Sequence, residues 1–259
     1  MPKYAGVDIS RWNTNIDYVA LKKAKIEGRT VKFAMLRFSY GKTRDKLFEK
    51  HYNGCKAAGI YVGVYHWLKA TTVDEAKQEA QWLVDNIGDY KIDYPIALDF
   101  EDEELLALGL TKSQYTDIVN AFMDVLKSAN YYVVLYTNPN CLENKLSSSV
   151  RSQYDLWLAH WTKAPRQYGQ KMWQYAALGT ESEVNKGHAT RVGKVDGANG
   201  SIDVNWAFVG YAALIKKLQK NRPVRRYRVT GTKTVDSASL AAAQGQLNAL
   251  GFSVETEKL

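Results

Sequence analysis

The feature that most constrains this chain is a succession of eight short, strand-like apolar runs, the earlier ones separated by segments with helical periodicity. The runs are AGVDI (5–9), FAMLRFS (33–39), YVGVYHWL (61–68), PIALDFE (95–101), residues 131–137, LWLAHW (156–161), MWQYA (172–176) and IDVNWAF (202–208). Helical patterns lie near 16–27, 45–58, 73–87 and 112–129. The third has Thr72 and Glu75 at capping-box spacing and Gly88 as a stop, with Ala76, Ala80, Leu83, Val84 and Ile87 on one face. The fourth opens on Thr111 and Gln114 in the same relation and carries Tyr115, Ile118, Val119, Phe122, Val125, Leu126 and Ala129. After Tyr136 the strands follow one another without a good amphipathic helix. The pattern predicts an α/β fold: an irregular TIM-like (β/α) barrel with helices missing in its second half.

The barrel accounts for residues 1–213. The polar, Gly-rich stretch GTESEVNKGHATRVGKVDGANG (179–200) reads as an irregular excursion between the last two strands, and 211–218 as a closing helix. The net charge of +8 comes almost wholly from one block, KKLQKNRPVRRYR (216–228), so it is a local feature and residues 214–228 read as a basic helix end and linker. Beyond it, residues 229–259 resemble a small β-α-β segment, too short to bury much core alone, which should dock on the barrel, self-associate or be one end of a larger module. No apolar run approaches the length needed to span a bilayer, and the opening MPKYAGVDISRWNTN lacks the apolar centre of a secretory signal. Neither a membrane nor a nucleic-acid partner is expected.

Strand parity locates the chemistry. Side chains alternate between lumen and helical layer along a barrel strand. In PIALDFE this sends Ile96, Leu98 and Phe100 outward and Ala97, Asp99 and Glu101 inward, at the strand's C-terminal end, where barrel enzymes gather catalytic groups. The same test puts Asp8 and Ser10 inward of Val7 and Ile9, and Asp203 between outward Ile202 and Val204. Tyr65 and Trp67 oppose Val62, Val64 and His66; Tyr136 opposes Val133 and Leu135; Trp157 and Trp161 fall together, opposite Leu156 and Leu158. Four acids and several aromatics thus share one mouth. With Ser10 and Arg37, these aromatics are the candidate substrate contacts.

Crowded acids between aromatic walls suit glycoside hydrolysis. That reaction needs a protonated carboxyl for the leaving oxygen and negative charge for an oxocarbenium-like centre. Neighbouring carboxylates raise one another's proton affinity. Two other readings compete: a non-catalytic carbohydrate-binding barrel, and a nucleic-acid partner using the basic block. Carboxylate clusters also bind hard cations, but no metal or other cofactor is expected. The four histidines (His51, His66, His160, His188) form no HExxH, and GxSxG, P-loop and GxGxxG motifs are absent. Cys55 and Cys141 form no CxxC, and Cys55 shares a helical stripe with Phe48 and Tyr52, as a buried free thiol would.

VDIS, GVYHW, ALDFED, LYTN, LWLAHW, WQY and IDVNW, in this order over about residues 5–210, resemble family 25 glycoside hydrolases, the Chalaropsis-type lysozymes common among phage endolysins. The resemblance implies an N-acetylmuramidase cutting the β-1,4 bond between N-acetylmuramic acid and N-acetylglucosamine in peptidoglycan. It implies Glu101 as general acid and later base, and Asp99 orienting the substrate's 2-acetamido group. Asp8 and Asp203 would complete the cluster, with Tyr65 and Tyr136 on the substrate. Retention by neighbouring-group participation and inversion by a single water both remain open. The resemblance also implies synthesis in a host cytoplasm and holin-dependent release onto the wall. Phe38 and Trp67 depart from the family's usual residues, which points to an altered subsite.

Overall fold

The computed structural model describes residues 3–164, 167–221 and 239–249. Each of the eight predicted runs contains a strand: β1 (Tyr4–Ile9), β2 (Arg29–Tyr40), β3 (Tyr61–Trp67), β4 (Ile96–Asp99), β5 (Val133–Thr137), β6 (Asp155–Ala159), β7 (Met172–Gly179) and β8 (Ile202–Ala207). They pair in the order β1-β8-β7-β6-β5-β4-β3-β2, and a parallel β1–β2 pairing closes the ring into an eight-stranded mixed barrel, the irregular TIM-like form expected. Strands β1 to β7 run parallel wherever they pair with one another, while β8 runs antiparallel to both β1 and β7. This reversal decides where Asp203 goes. On a parallel strand its second residue would sit at the floor; on β8 it pairs with Asp8 near the C-terminal end of β1.

The alternation of side chains builds two separate cores. Phe33, Met35, Ala97, Val134, Tyr136, Trp157 and Met172 fill the lumen. Val7, Ile9, Leu36, Val64, Ile96, Leu98, Phe100 and Leu135 belong to the outer layer with the helices. The lumen is so closely filled that β1 and β3 carry glycine where they face its bulkiest members. A Cβ on Gly6 would stand 2.4 Å from the Phe33 ring, and one on Gly63 2.4 Å from Met35 Sδ.

Helices α1 (Tyr18–Lys23), α2 (Phe48–Ala57), α3 (Val73–Ile87) and α5 (Lys112–Ser128) cover the first half. α3 and α5 lie side by side with the predicted caps in place: Thr72 accepts from Glu75 N, and Thr111 and Gln114 form a complete capping box. α1 is shorter than its predicted 16–27. At Ala24 the backbone turns extended (φ −56°, ψ 147°), and Glu27 and Gly28, both at positive φ, fold Lys25–Ile26 back onto Arg29–Thr30 as a tight hairpin. The two-residue turn outweighs the apolar spacing there.

Short helices occupy places where none was predicted. α4 (Glu103–Leu106) begins directly after the acids, capped by Asp102. α6 (Pro139–Asn144) starts at an Asn138 cap with Pro139 in its first turn, and α7 (Val150–Gln153) is a single turn. The 179–200 excursion contains α8 (Glu181–Asn185), opened by a Thr180–Glu183 capping box, and a short strand, Arg191–Val192, parallel to the end of β7. It returns against the loop after β1, where Ile16 bridges Ala198 and Asp17 N donates to Gly197 O.

The closing helix, α9 (Tyr211–Lys217), seals the barrel floor. Tyr211 and Ile215 join the lumen core, and Asn221 Nδ2 reaches the Ile92 and Tyr94 carbonyls. α9 matches the closing helix expected at 211–218, and the chain divides into two compact units, residues 1–224 and 225–259. Within that second unit, α10 (Leu240–Ala249) falls in the predicted helical stretch. The predicted strands on either side of it, and Arg222, Arg225, Arg226 and Arg228 of the basic block, lie outside the described residues. Cys55 and Cys141 are both buried free thiols. Among the described residues no helix is long and apolar enough to cross a membrane.

One expectation is overturned here. Phe38 does not shape a subsite. Its ring follows Ala34 and Leu36 to the outer side of β2, where it is fully buried against Phe48 (4.6 Å between centroids) and Trp82; the bulge between Arg37 and Ser39 changes the alternation only beyond it.

Candidate active site

Asp99 ends β4 and Glu101 follows two residues later, so both project from the C-terminal rim of the barrel on the lumen side. Asp8 comes from β1 and Asp203 from β8, directly opposite in register. Burial raises the proton affinity of all four carboxyls. Asp8 Oδ2 accepts from Asn205 Nδ2 (2.7 Å) and Gln174 Nε2 (3.0 Å), and it also shares a hydrogen bond with Asp203. These three bonds oppose the effect of burial on Asp8, whereas for Asp203 burial, the Asp8 charge and the bond to it all act upward. Burial thus raises both members of the pair, and the bond between them adds to the rise on Asp203 while opposing it on Asp8.

Asp99 is only 2% exposed and is pushed well above the usual carboxylate range by burial and then by the charges of Glu101 and Asp8, with Arg37 acting against them. Among the described residues its Oδ1 has no hydrogen-bond partner. Glu101 is pushed up to about 7, first by burial and then by Asp8. The segment carrying it is fixed from behind. Asp102 accepts from Trp67 Nε1 (3.0 Å) and from Lys69 Nζ (3.0 Å), and caps α4 through Leu105 N. The residue next to the acid is thus held rigidly, with its own charge neutralised.

The candidate substrate contacts divide by exposure. Tyr65 lines the lumen in edge contact with Trp157, and Tyr136 packs edge-on to the same indole at 4.5 Å. Both phenols are held protonated by burial and the surrounding acids. Trp157 is 2% exposed and gives its Nε1 hydrogen to Asn205 (2.8 Å); it is a packing element beneath the rim, with no free face for a sugar. Trp161 is 53% exposed, anchored through Nε1 to Gln174 Oε1 at 3.1 Å. Trp67 lies at the rim beside Tyr40. Ser10 shapes the turn after β1, its hydroxyl accepting from Trp12 N (3.4 Å). Arg37 Nε is paired with buried Asp45 (2.8 Å), so the guanidinium reaches Asp99 and Tyr65 through its field.

Three residues were not singled out from the sequence. Gln174 and Asn205 organise Asp8, and Asp45 holds Arg37 while accepting from Arg11 N (3.0 Å). Gln174 and Asn205 sit in the WQY and IDVNW motifs at lumen parity, as polar residues among aromatics. That was the available signal. Asp45 lay in a predicted helix start and carried none. Among the described residues, no group of three or more His, Cys, Asp or Glu is arranged to hold a metal ion.

A mixed eight-stranded barrel gathering four carboxyls between aromatics at one rim is the architecture of a glycoside hydrolase. The chain belongs to glycosyl hydrolases family 25, whose pattern matches residues 7–184, and so to a family of lysozymes and muramidases. It is 29% identical over 156 residues to the autolytic lysozyme of Clostridium acetobutylicum, covering 60% of this chain and 44% of that one. It is 26% identical over 204 residues to the uncharacterized protein YegX of Escherichia coli O157:H7, covering 77% and 68%. In fold it is similar to the bacterial lysozyme of Streptomyces coelicolor (TM-score 0.67, 23% identity, 83% of this chain and 98% of that one). It is also similar to the CTP1L endolysin (TM-score 0.63, 24% identity, 96% and 80%). A third fold match is the autolysin LytC of Streptococcus pneumoniae, solved with a synthetic peptidoglycan ligand (TM-score 0.64, 23% identity, 79% and 46%). The chain thus spans less than half the length of the clostridial lysozyme and of LytC.

Proposed function

We propose that this chain is an N-acetylmuramidase of phage endolysin type, hydrolysing the β-1,4 bond between N-acetylmuramic acid and N-acetylglucosamine in bacterial peptidoglycan. The carrying observation is Glu101: a rim carboxyl whose proton is retained to about pH 7 by burial and the nearby Asp8 charge. Glu101 donates that proton to the bridging oxygen as the bond to the anomeric carbon breaks. Water then adds to the anomeric carbon, and its proton returns to Glu101. Asp99 Oδ1, buried and without a partner among the described residues, accepts the N–H of the 2-acetamido group and so orients it. The charge on Asp8, steadied by Asn205 and Gln174, supports the oxocarbenium-like centre. Tyr65 and Tyr136 contact the sugar at the lumen edge, and Trp67 and Trp161 contact it at the rim. Synthesis in a host cytoplasm and release through a holin pore belong to the same reading, as does a wall-binding or self-association role for residues 229–259.

Mass spectrometry of borohydride-reduced soluble fragments from purified peptidoglycan tests this. New reducing ends on N-acetylmuramic acid support the reading. New ends on N-acetylglucosamine assign a different bond, and binding without any new ends turns the protein into a carbohydrate-binding barrel.

A further inference from the structure

The ring of strands fixes two perpendicular lines across the mouth. In the order β1-β8-β7-β6-β5-β4-β3-β2, strand β4 stands opposite β8, and β2 stands opposite β6. The first line joins Asp99 and Glu101 to Asp203. The second, a quarter-turn away, joins the end of β2 to the loop after β6. At each end of that second line the rim carries a large exposed aromatic.

Tyr40, the last residue of β2, is 42% exposed. The bulge at Phe38 shifts the alternation so that Tyr40 pairs with Trp67 on the mouth side, where its ring lies 5.7 Å from that of Trp67 and under the Lys69 ammonium at 5.2 Å. Trp161, two residues beyond β6, is the opposite plate. Both plates are tied to the acid cluster. Trp67 and Lys69 bind Asp102, next to Glu101; Trp161 binds Gln174, which holds Asp8. Exposed rings are ordinarily free to move; these are fixed at opposite flanks of the reacting centre. Lys69 is already neutralised by Asp102 and Glu104, so the Tyr40 plate offers a ring face and not a free cation.

We infer that Tyr40 and Trp161 are the outer subsites of a glycan groove crossing the mouth at right angles to the Glu101–Asp203 line, so that an extended strand lies over the acids with ring contacts on both sides of the cut. The inference rests on the glycan-hydrolase reading and adds to it a direction, a new subsite residue in Tyr40, and a dependence on chain length. A strand reaching both plates gains two stacking contacts that a short fragment misses, and these supply binding energy that positions the central bond.

The test is kcat/KM on purified peptidoglycan tetra-, hexa- and octasaccharides for the wild type, Tyr40→Ala, Trp161→Ala and Tyr61→Ala. Tyr61 is an equally exposed ring at the start of β3, at the other end of the barrel. The octasaccharide-to-tetrasaccharide ratio should fall roughly five- to tenfold in each of the first two variants, chiefly through KM, and keep its wild-type value in Tyr61→Ala. Calorimetric binding of the octasaccharide to the same substitutions in a Glu101→Gln background reads the plates without turnover. Weaker binding in both supports the groove. A wild-type ratio, or wild-type octasaccharide affinity, in either plate variant overturns it. If the wild type cleaves no oligosaccharide, the hydrolase reading fails, and the binding arm still decides the groove.

Discussion

Asp8 and Asp203 face each other across the β1–β8 pair and share a hydrogen bond, although 194 intervening residues separate them in the chain. The contact exists because β8 runs against both of its neighbours. It sets the electrostatic character of the mouth: after burial, Asp8 is the second influence that raises the proton affinity of Glu101.

Replacing Glu101 with Gln should lower peptidoglycan hydrolysis by roughly a hundred- to ten-thousandfold, the usual worth of a positioned acid. Release of reducing ends by a variant with a native circular dichroism spectrum measures it. Wild-type rates in that variant, free of contaminating lysin, would assign the proton to another group.

The same substitution should stabilise the fold, and only above acid pH. The Glu101 carboxyl sits at about 7 in the folded chain against 4.5 for the free side chain. Below 4.5 both states are protonated and nothing is lost. Between 4.5 and about 7 the unfolded chain ionises while the folded one keeps its proton, so stability falls across that window and levels off above about 7. Glu101→Gln escapes this and should exceed the wild type by on the order of 1–3 kcal/mol at pH 8, with no gain at pH 4. Urea melts at the two pH values check the sign.

Activity should fall as the pH rises through about 7, where Glu101 gives up its proton. Asp8 is the second cause of that position, after burial. Asp8→Asn should therefore move the alkaline limb of kcat/KM to lower pH as well as reduce the rate. A limb that stays in place would mean that Asp8 does not act on Glu101 through its charge.

Gln174→Leu should cost about 1–3 kcal/mol, because it leaves the Tyr136 hydroxyl without its acceptor and Asp8 Oδ2 without one of its donors in a buried site. It should also loosen Trp161. Thermal melts and kcat/KM on the octasaccharide should fall together. A loss of stability with full activity would make Gln174 purely structural.

Phe38→Ala should destabilise by about 3–5 kcal/mol through the cavity it leaves between β2 and the helices, with KM on peptidoglycan unchanged in the folded fraction. A changed KM would return Phe38 to the subsite from which its outward turn removes it.

Most of this architecture was legible in the order of the residues, because alternation along a strand is a local property. Asp99 inward and Leu98 outward follow from neighbouring positions, and so does the separation of His66 from the lumen, where its ring instead meets Phe122 and Glu79. The illegible parts are those set by distant partners. No local pattern announces that β8 is reversed, that Asp45 leaves its helix to hold Arg37, or that Trp157 surrenders its faces to Tyr65 and Tyr136. The shortened α1 failed for a different reason: a two-residue turn at Glu27–Gly28 overrides a regular period. Phe38 is the opposite case, because alternation from Leu36 already sends it outward and only the resemblance had placed it at a subsite.

The direction of β8 has a further effect on how such a barrel is joined to anything else. Tyr4 pairs with Ala207, so the incoming and outgoing ends of the ring are neighbours at the floor. A parallel last strand would have delivered its exit to the rim, beside the acids. Here a fusion at either end of the ring is tethered on the side away from the acids, and a permuted chain joining those ends needs only a short linker.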